Sequence, residues 1–260
     1  MRNVWIIFQR EMRSYFVSPV AYAILVAFLG LSGWAFFNTL SSFVIYAARA
    51  TEQAMMIEQP PPIMNVNWSV ERPWFNIAGQ LLLFLGPIIT MRLLAEERGT
   101  GRLDLLLSAP LTDFQLVLGK YLAGVALCLV FLAPTFAYVA ILFHYGNPEL
   151  GSILSGYLGL LLLILALIGL GLAVSSLTGS QVVAAASSFG LILLLWLLGF
   201  VSNGDDTGWR AAVSYASMLD HFSDFARGVI ETRHIIYYLT FTAFTLFLTL
   251  RAVESQRWRG

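Results

Sequence analysis

Residues 91–110, MRLLAEERGTGRLDLLLSAP, decide how this chain must be arranged. They carry six charges, Arg92, Glu96, Glu97, Arg98, Arg102 and Asp104, between apolar runs long enough to cross a bilayer. At the bilayer centre each charged side chain costs about 2.5–3.5 kcal/mol, so six would cost on the order of 15 kcal/mol. The segment must therefore lie in water at a membrane face, where a soluble partner can meet it.

Composition agrees with that placement. Of the 260 residues 58% are hydrophobic and only 12% charged, against about 25% charged in soluble domains. Mean hydropathy is +0.75. These values describe an all-α integral membrane protein. A net charge of zero leaves no basic surplus for phosphate backbones and excludes nucleic acid as a partner. The single cysteine, Cys128, cannot build a disulfide framework or a cysteine metal cluster. The start, MRNVWIIFQREMR, lacks a short apolar core followed by a small-residue cleavage site, so it does not read as a signal peptide.

Outward from the charged stretch, the pattern predicts six spans at about 19–40, 74–91, 121–143, 152–174, 182–202 and 234–250. Each is uncharged or nearly so and long enough for a ~30 Å core. Residues 3–16 place Trp5, Phe8, Met12 and Tyr15 on one helical face, with Gln9, Arg10 and Arg13 largely on the other. Such a helix is too charged to span and is expected to lie flat at the interface. Pro60-Pro61-Pro62 interrupts residues 41–73, read as a loop outside the membrane. Trp68 and Trp74 suit the headgroup level. Gly86-Pro87 and Pro134 mark expected kinks. Small residues at helical spacing (Gly159, Ala166, Gly169, Ala173) read as a packing face. Between 203 and 233 an apolar stripe (Met218, Leu219, Phe222, Phe225, Ala226, Val229, Ile230) opposes Asp220, Asp224, Arg227 and Glu231, as in short amphipathic helices at the membrane surface.

Six spans put both termini on one side. Ten Arg and Lys fall on that side and five on the other, while acidic residues divide six to nine. The positive-inside rule then makes the termini and residues 92–120 cytoplasmic. There is no G-x-x-x-x-G-K-[ST] phosphate loop: Gly119-Lys120 lacks the earlier glycine and Tyr121 follows it. The chain therefore binds no cofactor itself and cannot hydrolyse ATP alone. No H-E-x-x-H or G-x-S-x-G is present. The spans hold almost no ionisable group near the midplane, which disfavours an ion-coupled carrier or proton relay.

A membrane protein without its own energy source, yet with a dense charged segment between spans two and three, fits an externally driven permease. Three stretches carry a resemblance to the bacterial ABC-2 type permeases. The first is Phe8-x-x-Glu11 with Tyr15-Phe16-x-Ser18-Pro19-x-Ala21-Tyr22. The second runs from Thr90 to Gly101 through Glu96-Glu97-Arg98, then Leu105-Leu106-Leu107, Pro110 and Gly119-Lys120-Tyr121. The third is His221-Phe222-x-Asp224-Phe225-x-Arg227-Gly228-Val229. Within that family the chain is most similar to the gliding-motility-associated permeases and their nitrous-oxide-reductase-maturation relatives.

The resemblance implies an inner-membrane subunit paired with a second permease copy and with two cytoplasmic ATPase subunits, which hold the ATP-Mg. It makes the first helix (Trp5, Phe8, Arg10, Glu11, Arg13) interfacial along the lipid. It makes Glu96, Glu97, Arg98, Gly99, Arg102, Leu103, Leu106 and Leu107 the coupling helix seated on the ATPase. Glu97, Arg98 and Arg102 would bond the partner, and the leucines would anchor the helix on the membrane domain. Faces expected to line the dimer or path, Leu82, Leu85 and Ile89 with Leu191, Leu194 and Leu198, are apolar. They suit export or extraction of a lipid-like substrate, or no aqueous pore at all. The alternative is a mechanotransmitter passing ATPase-driven motion to a periplasmic accessory protein, which the 41–73 segment could serve.

Overall fold

In the computed structural model, residues 2–60, 65–102, 111–202 and 215–257 are described. All their regular elements are helical: α1 (Arg2–Val17), α2 (Pro19–Met56), α3 (Arg72–Thr90), α4 (Ala95–Gly99), α5 (Asp113–Leu132), α6 (Phe136–Tyr145), α7 (Leu150–Leu177), α8 (Gln181–Leu198), α9 (Met218–Ala226) and α10 (Thr232–Arg257). A π-helical turn, Asn67–Glu71, precedes α3, and 3₁₀ turns at Ala133–Thr135 and Gly199–Ser202 follow α5 and α8. Six of these segments are long and apolar enough to cross a membrane: Pro19–Met56, Asn67–Gly99, Asp113–His144, Leu150–Leu177, Gln181–Leu198 and Thr232–Gln256.

The bundle is built around α7. Its small residues admit neighbours that a side chain would exclude. Gly156 lies under the Phe75 ring of α3, Gly159 under Phe222 and Phe225 of α9, Gly169 against Thr245 of α10 and Gly171 against Thr90 of α3. Small faces let helices approach closely where lipid offers no hydrophobic drive. Leu160, Leu163, Ala166 and Leu172 are fully buried between them. The packing role expected for Gly159, Ala166 and Gly169 is thus observed.

Near the start of α3 an aromatic cluster ties four helices together. Trp74 donates through Nε1 to the Ser32 carbonyl of α2 at 3.2 Å and meets Tyr138 of α6 edge-on at 5.7 Å. Phe36 stacks on Tyr138 at 4.8 Å, and Phe75 meets Tyr157 of α7 edge-on at 5.3 Å. Trp74 therefore lies inside the bundle, 3% exposed, whereas Trp68 is 66% exposed. Only the latter has the exposure expected at a headgroup layer.

Among the boundaries that differ from the sequence expectation, three have a readable local cause. Helix α2 has 38 residues, about 57 Å at 1.5 Å per residue, so the first part of 41–73 is helix rather than loop. Residues 41–54 contain no proline or glycine to stop it, and polarity alone does not end a helix. Helix α5 starts at Asp113, where Thr112 and Gln115 form a capping box, eight residues before the span expected at 121. The turn expected over 175–181 shortens to 178–180, because α7 continues to Leu177 and Ser180 caps α8.

Candidate functional site

Chain direction places the end of α3, the end of α7 and the start of α5 at one end of the bundle, the end that also carries α1 and α4. Helix α4 has only five residues, far too few to be stable alone. Its stability comes from elsewhere. Leu93, Leu94 and Ala95 are buried at about 1% exposure or less and pin its start to the bundle. The residue before α4 is Leu94, which has no capping side chain, and Ser175 of α7 supplies the cap instead. The Ser175 Oγ accepts from the amides of Leu94 at 3.1 Å and Ala95 at 2.9 Å and donates to the Met91 carbonyl at 3.3 Å.

The far end of α4 is held as closely. A Cβ at Gly99 would overlap the Gly179 carbonyl oxygen in the turn between α7 and α8. Arg98 donates from Nη1 to the Ser176 carbonyl at 2.8 Å, and Gln256 of α10 donates to the same oxygen at 3.1 Å. Ser176 belongs to the last turn of α7, whose carbonyls have no intrahelical partner and carry the negative end of the helix dipole. A guanidinium is well matched to that position.

Charge links α4 to α1 and α5. The Lys120 ammonium, 1% exposed, lies 3.0 Å from Glu11 Oε1 and 2.9 Å from Glu97 Oε2. Arg10 spans the same two carboxylates, 2.7 Å from Glu11 and 2.8 Å from Glu97. Two cations and two anions from three helices thus form a neutral quartet in which each charge has a counterion. Burial pushes the Glu11 pKa up, but Lys120 and Arg10 outweigh it, and the net shift is downward from the usual carboxylate value. The quartet depends on close packing of α1 on α5, where Gly119 lies under Ile7 and Asn3 donates to Gln115 at 3.1 Å.

A cavity of about 460 Å³ opens between these elements, lined by residues that include Tyr15, Arg92, Glu96 and Arg102 beside the quartet. Arg92 reaches Ser18 at 3.3 Å across it. A short helix is thus held against α1, α5, α7 and the α7–α8 turn by hydrogen bonds, ion pairs and close backbone contact.

Among the expected coupling residues, Glu97 and Arg98 turn inward, to the quartet and to α7. Glu96 is half-buried beside the cavity, and Gly99 and Arg102 are exposed. Leu103, Leu106 and Leu107 lie outside the described residues. Of the residues expected to be interfacial, Trp5 is exposed and stacks on Phe8 at 5.1 Å. Arg13 is exposed, and Arg10 and Glu11 serve the quartet. The buried residue of α1 is Ile7, because Asn3, Ile7 and Glu11 face α5 rather than the aromatic stripe.

The expected lining residues of α3 and α8 differ in exposure. Leu82 and Ile89 are 2% and 3% exposed, enclosed within the protomer, and Leu85 is half-buried. The exposed row of α3 is Gln80, Phe84 and Ile88, one helical turn apart. On α8, Leu191 and Leu194 are exposed and Leu198 is half-buried. Phe84 meets Phe189 of α8 at 5.8 Å, so the two exposed rows form one apolar face.

Lys120 and Ser175 were not singled out as site residues. Lys120 had a readable signal, since an ionisable group among apolar helical residues needs a partner and marks a site by default. Ser175 had none, because a serine near a helix end is ordinary.

A family model described as "ABC-2 family transporter protein" matches residues 5–253. A protein of Escherichia coli strain K12 described as a probable multidrug ABC transporter permease, YbhR, is 29% identical over 192 residues, covering 68% of this chain and 51% of that protein. The protein of the same description from Escherichia coli O157:H7 gives the same values. The chain thus spans about half the length of the curated relatives it matches.

Proposed function

The chain belongs to the ABC-2 family of transporter proteins, and from that premise we propose that it is the permease subunit of an ATP-driven complex whose ATPases sit on the α4 end. Six apolar helices and the family make it a multi-pass membrane protein. The observation that carries the coupling role is the suspension of α4. A five-residue charged helix held by one serine cap and one buried charge quartet is a lever, and the outward-facing residues beside it, Arg102 first, are available to a partner's groove.

In this reading Glu97 transmits rather than recognises. ATP-Mg binding closes the ATPases and they push α4. Glu97 and Lys120 carry the displacement to α1 and α5, while Ser175 and Arg98 carry it to α7. A second permease copy meets the apolar face of α3 and α8. That face suits a lipid-like or otherwise apolar substrate, in keeping with the relative's description as a multidrug permease. The end with α4 and both termini is cytoplasmic, in a bacterial inner membrane.

Helix α2 favours a second reading of the output, motion delivered to a periplasmic accessory protein. Its final turns extend past the length a bilayer needs and leave Tyr46, Met55 and Met56 strongly exposed, at 68%, 74% and 83%.

The test is the reconstituted complex carrying Glu97→Gln with Arg98→Ala. Membrane insertion should be retained and substrate-stimulated ATPase activity lost. Unchanged stimulation would remove the coupling assignment.

A further inference from the structure

At the end of the bundle opposite α4, the short helix α9 meets the start of α10 across a tight turn, with Gly228 at φ +85°. His221 of α9 is 4% exposed, stacked on Tyr237 with ring centroids 4.0 Å apart. Its Nε2 lies 2.8 Å from the Tyr215 carbonyl. A carbonyl can only accept, so Nε2 carries a hydrogen. The other nitrogen, Nδ1, is in hydrogen-bond contact with Nδ1 of His234 on α10. Only one hydrogen fits between them. A neutral imidazole has one donor and one acceptor nitrogen, so with Nε2–H given to Tyr215 the Nδ1 of His221 accepts and the hydrogen between the rings belongs to His234 Nδ1.

The chain of donors leaves His234 Nε2 as the open atom. His234 is 4% exposed, and Nε2 makes no hydrogen bond of acceptable angle. It points between two carboxylates, 3.0 Å from Asp224 Oδ2 and 3.7 Å from Glu231 Oε2. The three ligand atoms all lie within 4.8 Å of one another. A nitrogen lone pair facing two anions is repulsive unless a cation sits between them. Metal bonds of about 2.0–2.2 Å in a tetrahedron put ligand atoms about 3.3–3.6 Å apart, a range bracketed by the two observed distances. The fixed Nδ1–H of His234, held by His221, is the outer support that a ligating histidine requires.

Two guanidiniums already hold these carboxylates, and Arg233 contacts the same oxygens that would bind a metal, Glu231 Oε2 and Asp224 Oδ2. Arg233 pairs with Glu231 and its Nη2 is 4.0 Å from Asp224 Oδ2, and Arg227 Nη1 is 3.7 Å from Asp224 Oδ1. Both are well exposed, at 60% and 48%, and can swing into water when a metal takes their place. One imidazole and two carboxylates suit a borderline cation such as zinc, whereas magnesium and calcium prefer all-oxygen sets.

We propose that Asp224, Glu231 and His234 form a Zn²⁺ site with a fourth position open to water or a ligand. The ion ties α9 to the last span at the face where an accessory partner would meet the permease. This inference does not depend on the coupling role of α4, and its test does not use ATPase activity.

Full-length permease is purified without a polyhistidine tag, stripped with chelator and titrated with Zn²⁺ by calorimetry and with Co²⁺ by visible absorption. One ion per chain is expected, with the intense d–d bands of a tetrahedral cobalt site. Asp224→Asn with Glu231→Gln should weaken binding at least about 100-fold, and His221→Gln about 10–100-fold through the outer support. His144→Gln should change nothing. Because Glu231 is exposed enough to be replaced without disturbing packing, Glu231→Gln alone serves as the folded control and should weaken binding measurably. Absence of a stoichiometric site means that Nε2 carries a proton and pairs with Asp224. That result, or binding unchanged in the double variant, overturns the proposal.

Discussion

Replacing Lys120 by methionine keeps the length of the side chain and removes the ammonium at the centre of the quartet. At an effective dielectric constant of about 20, each of its two contacts near 3 Å is worth roughly 5–6 kcal/mol before desolvation. The net loss is smaller, because the ammonium no longer has to be dehydrated on folding. Breaking a buried pair by removing one partner costs about 3–5 kcal/mol. Glu11 and Glu97 are each 14% exposed and keep Arg10, so the lower end, about 3 kcal/mol, is expected. For a chain of this size that is a fall of roughly 6–12 °C in Tm. Scanning fluorimetry of the purified permease reads it directly. The variant Lys120→Met with Glu11→Gln and Glu97→Gln should then recover much of the loss, because no carboxylate is left facing a missing cation. ATPase stimulation should stay low in both, since the link from α4 to α5 is absent in both. A single variant that melts with the parent, or a triple variant that melts below the single, would refute the reasoning.

Three other outcomes follow from the same geometry. Gly99→Val should dislodge α4 from the Gly179 carbonyl, lowering ATPase stimulation at least about tenfold with protein insertion unchanged; proteolysis near residue 100 should speed up. In a Cys128→Ala background, Phe84→Cys and Leu194→Cys should give oxidant-dependent crosslinks between copies and Leu82→Cys none, read on non-reducing gels. Crosslinking at Leu82 alone would reverse the assignment of the dimer face. The Glu11 pKa is depressed in the folded state, so its contribution to stability is complete above the unfolded value near 4.5 and is lost as pH falls through the lower folded value. Melting in Glu11→Gln should therefore lose the part of the acid dependence that appears below about pH 4.5, and between about pH 5.5 and 7 the variant should melt below the parent by a constant amount.

The membrane class, the number of spans and the position of the charged segment were legible in residues 91–110 and the apolar runs beside them. Desolvating a charge or a backbone amide costs several kcal/mol wherever it occurs, so those features do not depend on which helix neighbours which. Which residues the spans bury does depend on it. The apolar pattern of α3 shows that Leu82, Phe84 and Ile89 are lipid-soluble, but not that Leu82 and Ile89 are buried inside the protomer while Phe84 faces out, because lipid and protein interior are equally apolar. The same holds for charge. The sequence placed Glu97 and Arg98 in water, where they could meet a partner; only the tertiary placement of α4 beside α1 and α5 brings Lys120 within 3 Å of Glu97 and turns it inward. The length of α2 past residue 40 was likewise undecided locally, since a polar stretch without a breaker can be helix or loop. By itself the sequence determined what must lie in lipid and what must lie in water. The tertiary structure decided which of the watery charges are joints and which are left for a partner, because that depends on distances between residues far apart in the chain.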